Sequence, residues 1–207
     1  MRKIVFILFA ALLAGCAGTS SRQSELALHD LGHFAGARPA TGLPIAVAIA
    51  TIEVRANSWL AGPEMRYRLA YADSSRRHAY AHSRWAAPPA ELLERFLQRR
   101  ILFGQPESAG PGCRLQLHLD EIEQRFATPQ SSQIVLEVRA SLLPLRGDVP
   151  LSRRALLIQQ DTPTADAQGG VAATREAVQA LADELAQWLD ALARERPQVI
   201  TLCKEKQ

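Results

Sequence analysis

Apolar and polar side chains alternate through RLQLHLDEIEQRF, residues 114–126, and again through QIVLEVRASLL, residues 133–143. Successive side chains of a β-strand point to opposite faces, so this alternation indicates strands with one buried face. A polar turn at 128–131 separates the two segments. A third alternating segment, LSRRALLIQQ at 151–160, follows a turn at 147–148. Strands joined by such short turns predict successive hairpins in an antiparallel sheet.

Upstream of these segments the same reasoning predicts four further strands. The first spans 25–32, and the second, which is rich in β-branched residues, spans 45–54. The third and fourth, at 65–71 and 78–85, flank a polar turn and form a predicted hairpin.

Two amphipathic helices complete the predicted fold. The first begins at Pro88 and Pro89, because a missing amide N–H costs nothing in the first turn of a helix. The second runs from about 171 to 194, with an apolar stripe at 3-4 spacing that includes Trp188. The order of four strands, helix, three strands and helix predicts an α+β single domain. In this fold a largely antiparallel sheet packs against both helices.

The N-terminus has the features of a secretory signal. Arg2 and Lys3 precede an apolar run at 4–14, which is about half the ~20 residues needed to cross a bilayer as a helix. The ending LAGC at 13–16 resembles a bacterial lipobox, in which Cys16 is acylated and becomes the first mature residue. A plain secretion signal is the alternative. We expect a signal peptide at 1–15, a lipidated tether at 16–24 and a domain at 25–207.

The residue after Cys16 bears on localisation. In many Gram-negative bacteria an Asp at this position retains a lipoprotein in the inner membrane. Ala17 stands there, which predicts the periplasmic face of the outer membrane.

Composition excludes some classes of function. The net charge of +3 falls to +1 once Arg2 and Lys3 are removed, so a nucleic-acid partner, which needs a concentrated basic face, is not expected. The sequence also lacks a Gly-x-Ser-x-Gly elbow, a His-Glu-x-x-His motif and a phosphate loop. We therefore expect no catalytic residues and no cofactor.

Two groups of ionisable residues are candidate sites. His78 and His82 share one face of a predicted strand and could bind a metal only with a third ligand. We favour two half-exposed histidines and predict no metal site. Asp120, Glu121 and Glu123 could form a pair of catalytic carboxylates, but we interpret them as a solvated sheet edge.

The cysteines and tryptophans make more specific predictions. Cys113 and Cys203 form an even pair in an oxidising compartment, which predicts a disulfide; two reduced cysteines are the alternative. Trp188 falls on the helical stripe and is predicted to be core. Trp59 and Trp85 lie at loop or strand ends, where an aromatic side chain either closes the core or anchors a partner.

The middle of the chain carries a family resemblance. WLAGPEMRYR at 59–68 and RWAAPPAELL at 84–93 resemble the ABC-type transport auxiliary lipoprotein family. The segment 30–32 and the helix 171–192 resemble the first strand and closing helix of that family, so the resemblance extends from about 26 to 195.

The resemblance implies a function by binding. It implies a non-enzymatic, lipid-anchored accessory subunit that docks a periplasmic conduit for lipid or hydrophobic solute to the outer membrane. Its implied partners are an ABC permease, an ATPase and a periplasmic protein of the mammalian-cell-entry (MCE) type, with several copies of the lipoprotein around the last. Trp59, Arg68 and Trp85 carry the resemblance and are candidate contacts, although they could merely close the sheet. A free-standing outer-membrane lipoprotein for envelope assembly or stability is the alternative function.

Overall fold

The computed structural model describes residues 25–32, 45–102 and 112–204, and within them it contains one seven-stranded sheet and three α-helices. The predicted signal peptide, the tether and Cys16 lie outside the described residues. No helix in the described ranges is long and apolar enough to cross a membrane.

The strands and helices lie close to where the sequence pattern places them. The strands are β1 Ala27–His29, β2 Ile49–Ala56, β3 Glu64–Leu69, β4 Arg77–Trp85, β5 Cys113–Thr128, β6 Ser131–Leu143 and β7 Ser152–Asp161. The α-helices are α1 Pro89–Leu97, α2 Ala167–Glu195 and α3 Gln198–Lys204. A 3₁₀ turn, Ser58–Leu60, lies between β2 and β3, and a π-helical turn, Gln98–Leu102, continues α1.

Strand β5 organises the sheet, whose order is β1-β4-β3-β5-β6-β7. β6 pairs with β5 along its length on one side. On the other side β2 pairs with the first part of β5 and β3 with the last part, both in parallel. β2 and β3 therefore lie end to end along one edge of β5, and the 3₁₀ turn fills the gap between them.

The predicted α+β single domain is confirmed, and its sheet is mixed. The predicted hairpins β3–β4, β5–β6 and β6–β7 are antiparallel, whereas β1–β4, β2–β5 and β3–β5 are parallel. Each of these parallel pairs joins strands that are distant in the chain, because parallel strands cannot be connected by a short turn. Local hairpin signals carry no information about such pairs.

Helix α2 packs its apolar stripe against one face of the sheet, which we call the helix face. Leu181, Leu185 and Leu189 are fully buried there, and Trp188 is buried as predicted. α2 starts four residues earlier than predicted. Asp166 caps it, because its Oδ1 accepts a hydrogen bond of 2.7 Å from the amide of Gly169.

The predicted disulfide joins Cys113 to Cys203. Cys113 is the first residue of β5, and Cys203 lies in the short helix α3 near the end of the described chain. Both cysteines are buried, so the bond holds the chain end against the central strand.

Candidate interaction surface

An irregularity in β5 decides which side chains face away from α2. Leu115, Leu117 and Leu119 face the helices, but the pairing with β6 shifts between Leu119 and Glu121. The extra residue of such a bulge reverses the alternation that follows it. Beyond the bulge Gln124 faces the helices, and its Nε2 donates to the carbonyl of Asp166. Glu121, Glu123 and Arg125 therefore lie on the opposite face, which we call the far face.

The far face contains a cluster of two glutamates and three arginines: Arg68, Arg77, Glu121, Glu123 and Arg125, called here the arginine–glutamate cluster. The side chain of Glu123 is fully buried, and Arg68 Nε donates to its Oε1 at 2.9 Å. Arg125 donates to the same oxygen, with Nη2 at 2.9 Å. Burial of a carboxylate is tolerated only with such partners, so these contacts explain how Glu123 lies in the centre of the sheet.

Glu121 occupies the second carboxylate position of the cluster. Arg77 Nη2 donates to Glu121 Oε2, and Arg68 Nη2 lies 3.9 Å from the same oxygen. Burial raises the pKa of Glu121, and the nearby negative charge of Glu123 raises that pKa further. The pKa of Arg68 is also raised, but its main cause is the hydrogen bond that Arg68 donates to Glu123.

Trp59 lies next to the cluster and is exposed. The 3₁₀ turn that carries it is anchored by Leu60, which is buried in the core, and by Asn57, whose Nδ2 donates to the carbonyl of Asp120 at 3.3 Å. The guanidinium of Arg77 lies 5.2 Å from the centre of the indole ring, within range of a cation–π contact. Trp59 nevertheless keeps 45% of its surface exposed. It is an apolar side chain held in place at the surface.

The three candidate contact residues occupy different environments. Trp59 is exposed, Arg68 is mostly buried in the cluster, and Trp85 is in the hydrophobic core at 6% exposure. Arg77 links Trp59 to the cluster, because its guanidinium contacts both the indole ring and Glu121. A signal for this cluster was present, because the apolar alternation changes phase between Leu119 and Ile122.

The interpretation of the acidic group as a solvated edge was wrong. Glu121 and Glu123 are buried on the central strand, where arginines from β3 and β4 neutralise them. Asp120 is more exposed, and Arg139 of β6 holds it with a hydrogen bond of 2.6 Å from Nε. That hydrogen bond is the main cause of the lowered pKa of Asp120.

His78 and His82 lie in different environments. The ring of His78 stacks on Tyr67 with centroids 5.1 Å apart, whereas His82 is exposed. Across residues 25–32, 45–102 and 112–204 no group of three or more His, Cys, Asp or Glu side chains is placed to hold a metal ion.

The geometry of the far face suits recognition. Glu121 and Glu123 are already engaged by guanidinium groups, while the indole of Trp59 and part of Arg77 and Arg125 face solvent. Trp and Arg are the residue types that contribute most to protein–protein interfaces. A fixed indole with adjacent guanidiniums can bind an apolar side chain flanked by carboxylates.

Comparison with known proteins gives a family and a fold. The family model described as ABC-type transport auxiliary lipoprotein component matches residues 34–186. No curated protein matches the sequence.

Two solved structures share the fold. One is protein XCC0632 from Xanthomonas campestris, of the family DUF330, with a TM-score of 0.63 and 18% identity over 78% of this chain and 93% of that chain. The other is an uncharacterized protein with a TM-score of 0.50 and 15% identity over 83% of this chain and 98% of that one.

Proposed function

The chain belongs to the ABC-type transport auxiliary lipoprotein family, and from this premise we propose that it is a non-enzymatic docking subunit of an MCE-type transporter. In this proposal Cys16 is acylated and holds the domain at the periplasmic face of the outer membrane. The domain binds the periplasmic MCE protein, whose ABC permease and ATPase lie in the inner membrane. The complex carries lipid or another hydrophobic solute.

The observation that carries the proposal is the exposed indole of Trp59, fixed over Arg77 on the far face. A large apolar side chain held rigidly at a surface loses little conformational entropy on binding, which favours a role as an anchor. Trp59 also lies within a segment that resembles the family. In our proposal Arg68 and Trp85 do not touch the partner. Arg68 supports the arginine–glutamate cluster, and Trp85 packs in the core.

The membrane anchor strengthens binding by raising the local concentration of the domain near its partner. A domain tethered to one membrane by a short linker meets a partner that reaches across the periplasm at high effective concentration. A modest contact area around Trp59 is then sufficient for a stable complex.

The test is purification of the tagged full chain from detergent-solubilised membranes, with partners identified by mass spectrometry. The wild-type protein should retain an MCE protein together with a permease and an ATPase. Trp59→Ala should weaken the complex about 30-fold, as expected for a central aromatic contact worth about 2 kcal/mol, with a nearly unchanged melting temperature. Tyr71→Ala is the matched control, because Tyr71 is 48% exposed on another turn.

Two results would overturn the proposal in favour of a free-standing envelope lipoprotein. One is the absence of any transporter component in the wild-type purification, together with unchanged detergent permeability after deletion of the gene. The other is an equal loss of partner from Trp59→Ala and Tyr71→Ala.

A further inference from the structure

β7 is an outermost strand of the sheet, and along its outer edge backbone N–H and C=O groups pair with no described strand. The amide of Thr162 donates to the carbonyl of Ser132, and the β6–β7 register pairs Ile134 with Gln160. In an antiparallel ladder alternate residues bond to the same neighbour, so the even-numbered residues of β7 face β6. The odd-numbered residues from 153 to 161 direct their N–H and C=O groups outward. No described residue pairs with them.

The other edges of the sheet are short or are partly capped by side chains. On β2 the amide of Val54 donates to Glu94 Oε2 at 2.8 Å, and the carbonyl of Ile52 accepts from Gln98 Nε2 at 3.2 Å. Side chains of α1 and the following turn therefore cap that edge. At the opposite end of the sheet the outermost strand, β1, is only three residues long and covers the end of β4, and Arg84 Nη1 donates to the carbonyl of Tyr80 on the same strand. β7 is ten residues long, contains neither proline nor lysine, and pairs with β6 along an unbroken register, so its outer edge is long and regular enough to pair with another strand.

The side chains of β7 are complementary to themselves in one antiparallel register. When Leu157 lies opposite its own copy, Arg153 lies opposite Asp161 of the second chain at both ends. Leu157 is 56% exposed on the far face, and within the described residues neither Arg153 nor Asp161 forms an ion pair. On the helix face the same register places Leu156 opposite Ile158. Among registers that pair outward groups with outward groups, only this one matches Arg153 with Asp161.

We propose that β7 pairs with β7 of a second copy of this chain, in the antiparallel register centred on Leu157. The two sheets then form one continuous sheet, joined by about ten main-chain hydrogen bonds. Two Arg153–Asp161 pairs and the central Leu157 contact set the register. This contact uses a different part of the molecule from Trp59, so it leaves Trp59 free for another partner.

Cross-linking tests the contact directly. Leu157→Cys is introduced into the full chain, and isolated membranes are treated with a short bismaleimide that spans about 8 Å. In an antiparallel pair opposite Cβ atoms are about 5.5 Å apart, so a covalent dimer of twice the chain mass should form. Arg153→Cys is the matched control on the same strand. Its position lies about 27 Å from its own copy and should not cross-link.

Charge reversal separates loss of the contact from loss of the fold. In the Leu157→Cys background, Arg153→Asp or Asp161→Arg alone should reduce the dimer at least 5-fold. The double reversal Arg153→Asp with Asp161→Arg should restore it. The proposal is overturned by absence of the Leu157→Cys dimer, by equal cross-linking at 153, by failure of the double reversal, or by a cross-link to a different protein.

Discussion

At the scale of single residues, Glu123 is the most constrained side chain of the far face. It lies on the central strand with no solvent exposure, and its charge is compensated by guanidinium groups from β3 and from its own strand. One of its oxygens, Oε2, has no hydrogen-bond partner among the described residues, although Arg77 Nε lies 3.9 Å away. The compensation is mutual: the arginines neutralise the buried carboxylate, and Glu123 supplies a counter-charge for Arg68, which is itself mostly buried.

Removing this charge should be costly. Glu123→Gln removes the buried carboxylate that Arg68 and Arg125 both contact, and we expect the free energy of unfolding to fall by about 3–5 kcal/mol. Urea denaturation measures the change. Glu53→Gln is the control, since the Glu53–Arg55 ion pair is exposed and should contribute less than about 1 kcal/mol. Equal effects of the two substitutions would contradict a structural role for the buried charge.

Glu121 makes the stability depend on pH in a defined direction. Its pKa is raised above the ordinary value of 4.5, mainly by burial, so the folded state binds its proton more tightly than the unfolded state. Stability should therefore fall as the pH rises from about 4.5 through the raised pKa. Glu121→Gln removes this component, so the stability of wild type relative to the variant should decline over that range. A difference that stays constant between about pH 4 and pH 7 would show an ordinary pKa.

At the scale of elements, the N-terminus of α2 is fitted closely to β5. The Cα of Gly170 lies so near Gln124 that an added methyl group would overlap Gln124 Oε1. Gln124 is itself held by Tyr80 Oη at 3.0 Å and donates to Ser132 Oγ at 2.8 Å. Gly170 therefore allows the helix to begin close against the sheet.

The cap of α2 gives a second pH-dependent test. The pKa of Asp166 is lowered from 3.8, chiefly because its carboxylate accepts the Gly169 amide. The stabilisation of the folded state by ionised Asp166 is present at neutral pH and is lost as the pH falls through the lowered pKa. Asp166→Ala should cost about 1 kcal/mol at pH 7, and Asp166→Asn, which keeps the acceptor oxygen, should cost less. Urea unfolding at pH 7 and at about pH 3 measures both, and an alanine variant as stable as wild type at pH 7 would refute the cap.

At the scale of the whole molecule, the disulfide and the central strand hold distant parts of the chain together. Cys113 and Cys203 are separated by 90 residues, and their bond attaches α3 to the start of β5. Such a bond restricts the unfolded chain, and its removal typically costs about 2–5 kcal/mol.

Reduction tests this contribution. Dithiothreitol should lower the stability of the wild-type domain by roughly 2–5 kcal/mol in urea unfolding. The double variant Cys113→Ala with Cys203→Ala should start at the lower value and show no response to the reductant. Thiol titration of the denatured, unreduced protein should detect neither cysteine; two reactive thiols at these positions would contradict the bond.

The sequence by itself determined the local elements. Alternation predicted β5, β6 and β7, helical spacing predicted α1 and the stripe of α2, and the compartment implied by the N-terminal signal predicted the disulfide. These properties depend on residues that are near each other in the chain or on a count of cysteines. Periodicity and turn chemistry report on them directly.

Only the tertiary structure decided which strands pair and which charges are buried. β2 and β3 lie along β5 through contacts that span more than 50 residues, and the bulge near Asp120 turns Glu121 and Glu123 towards arginines of other strands. The sequence pattern therefore placed these carboxylates in solvent, and it could not separate exposed Trp59 from buried Trp85. A side chain's environment depends on which distant segments cover it, and that is settled by packing the whole sheet against α2.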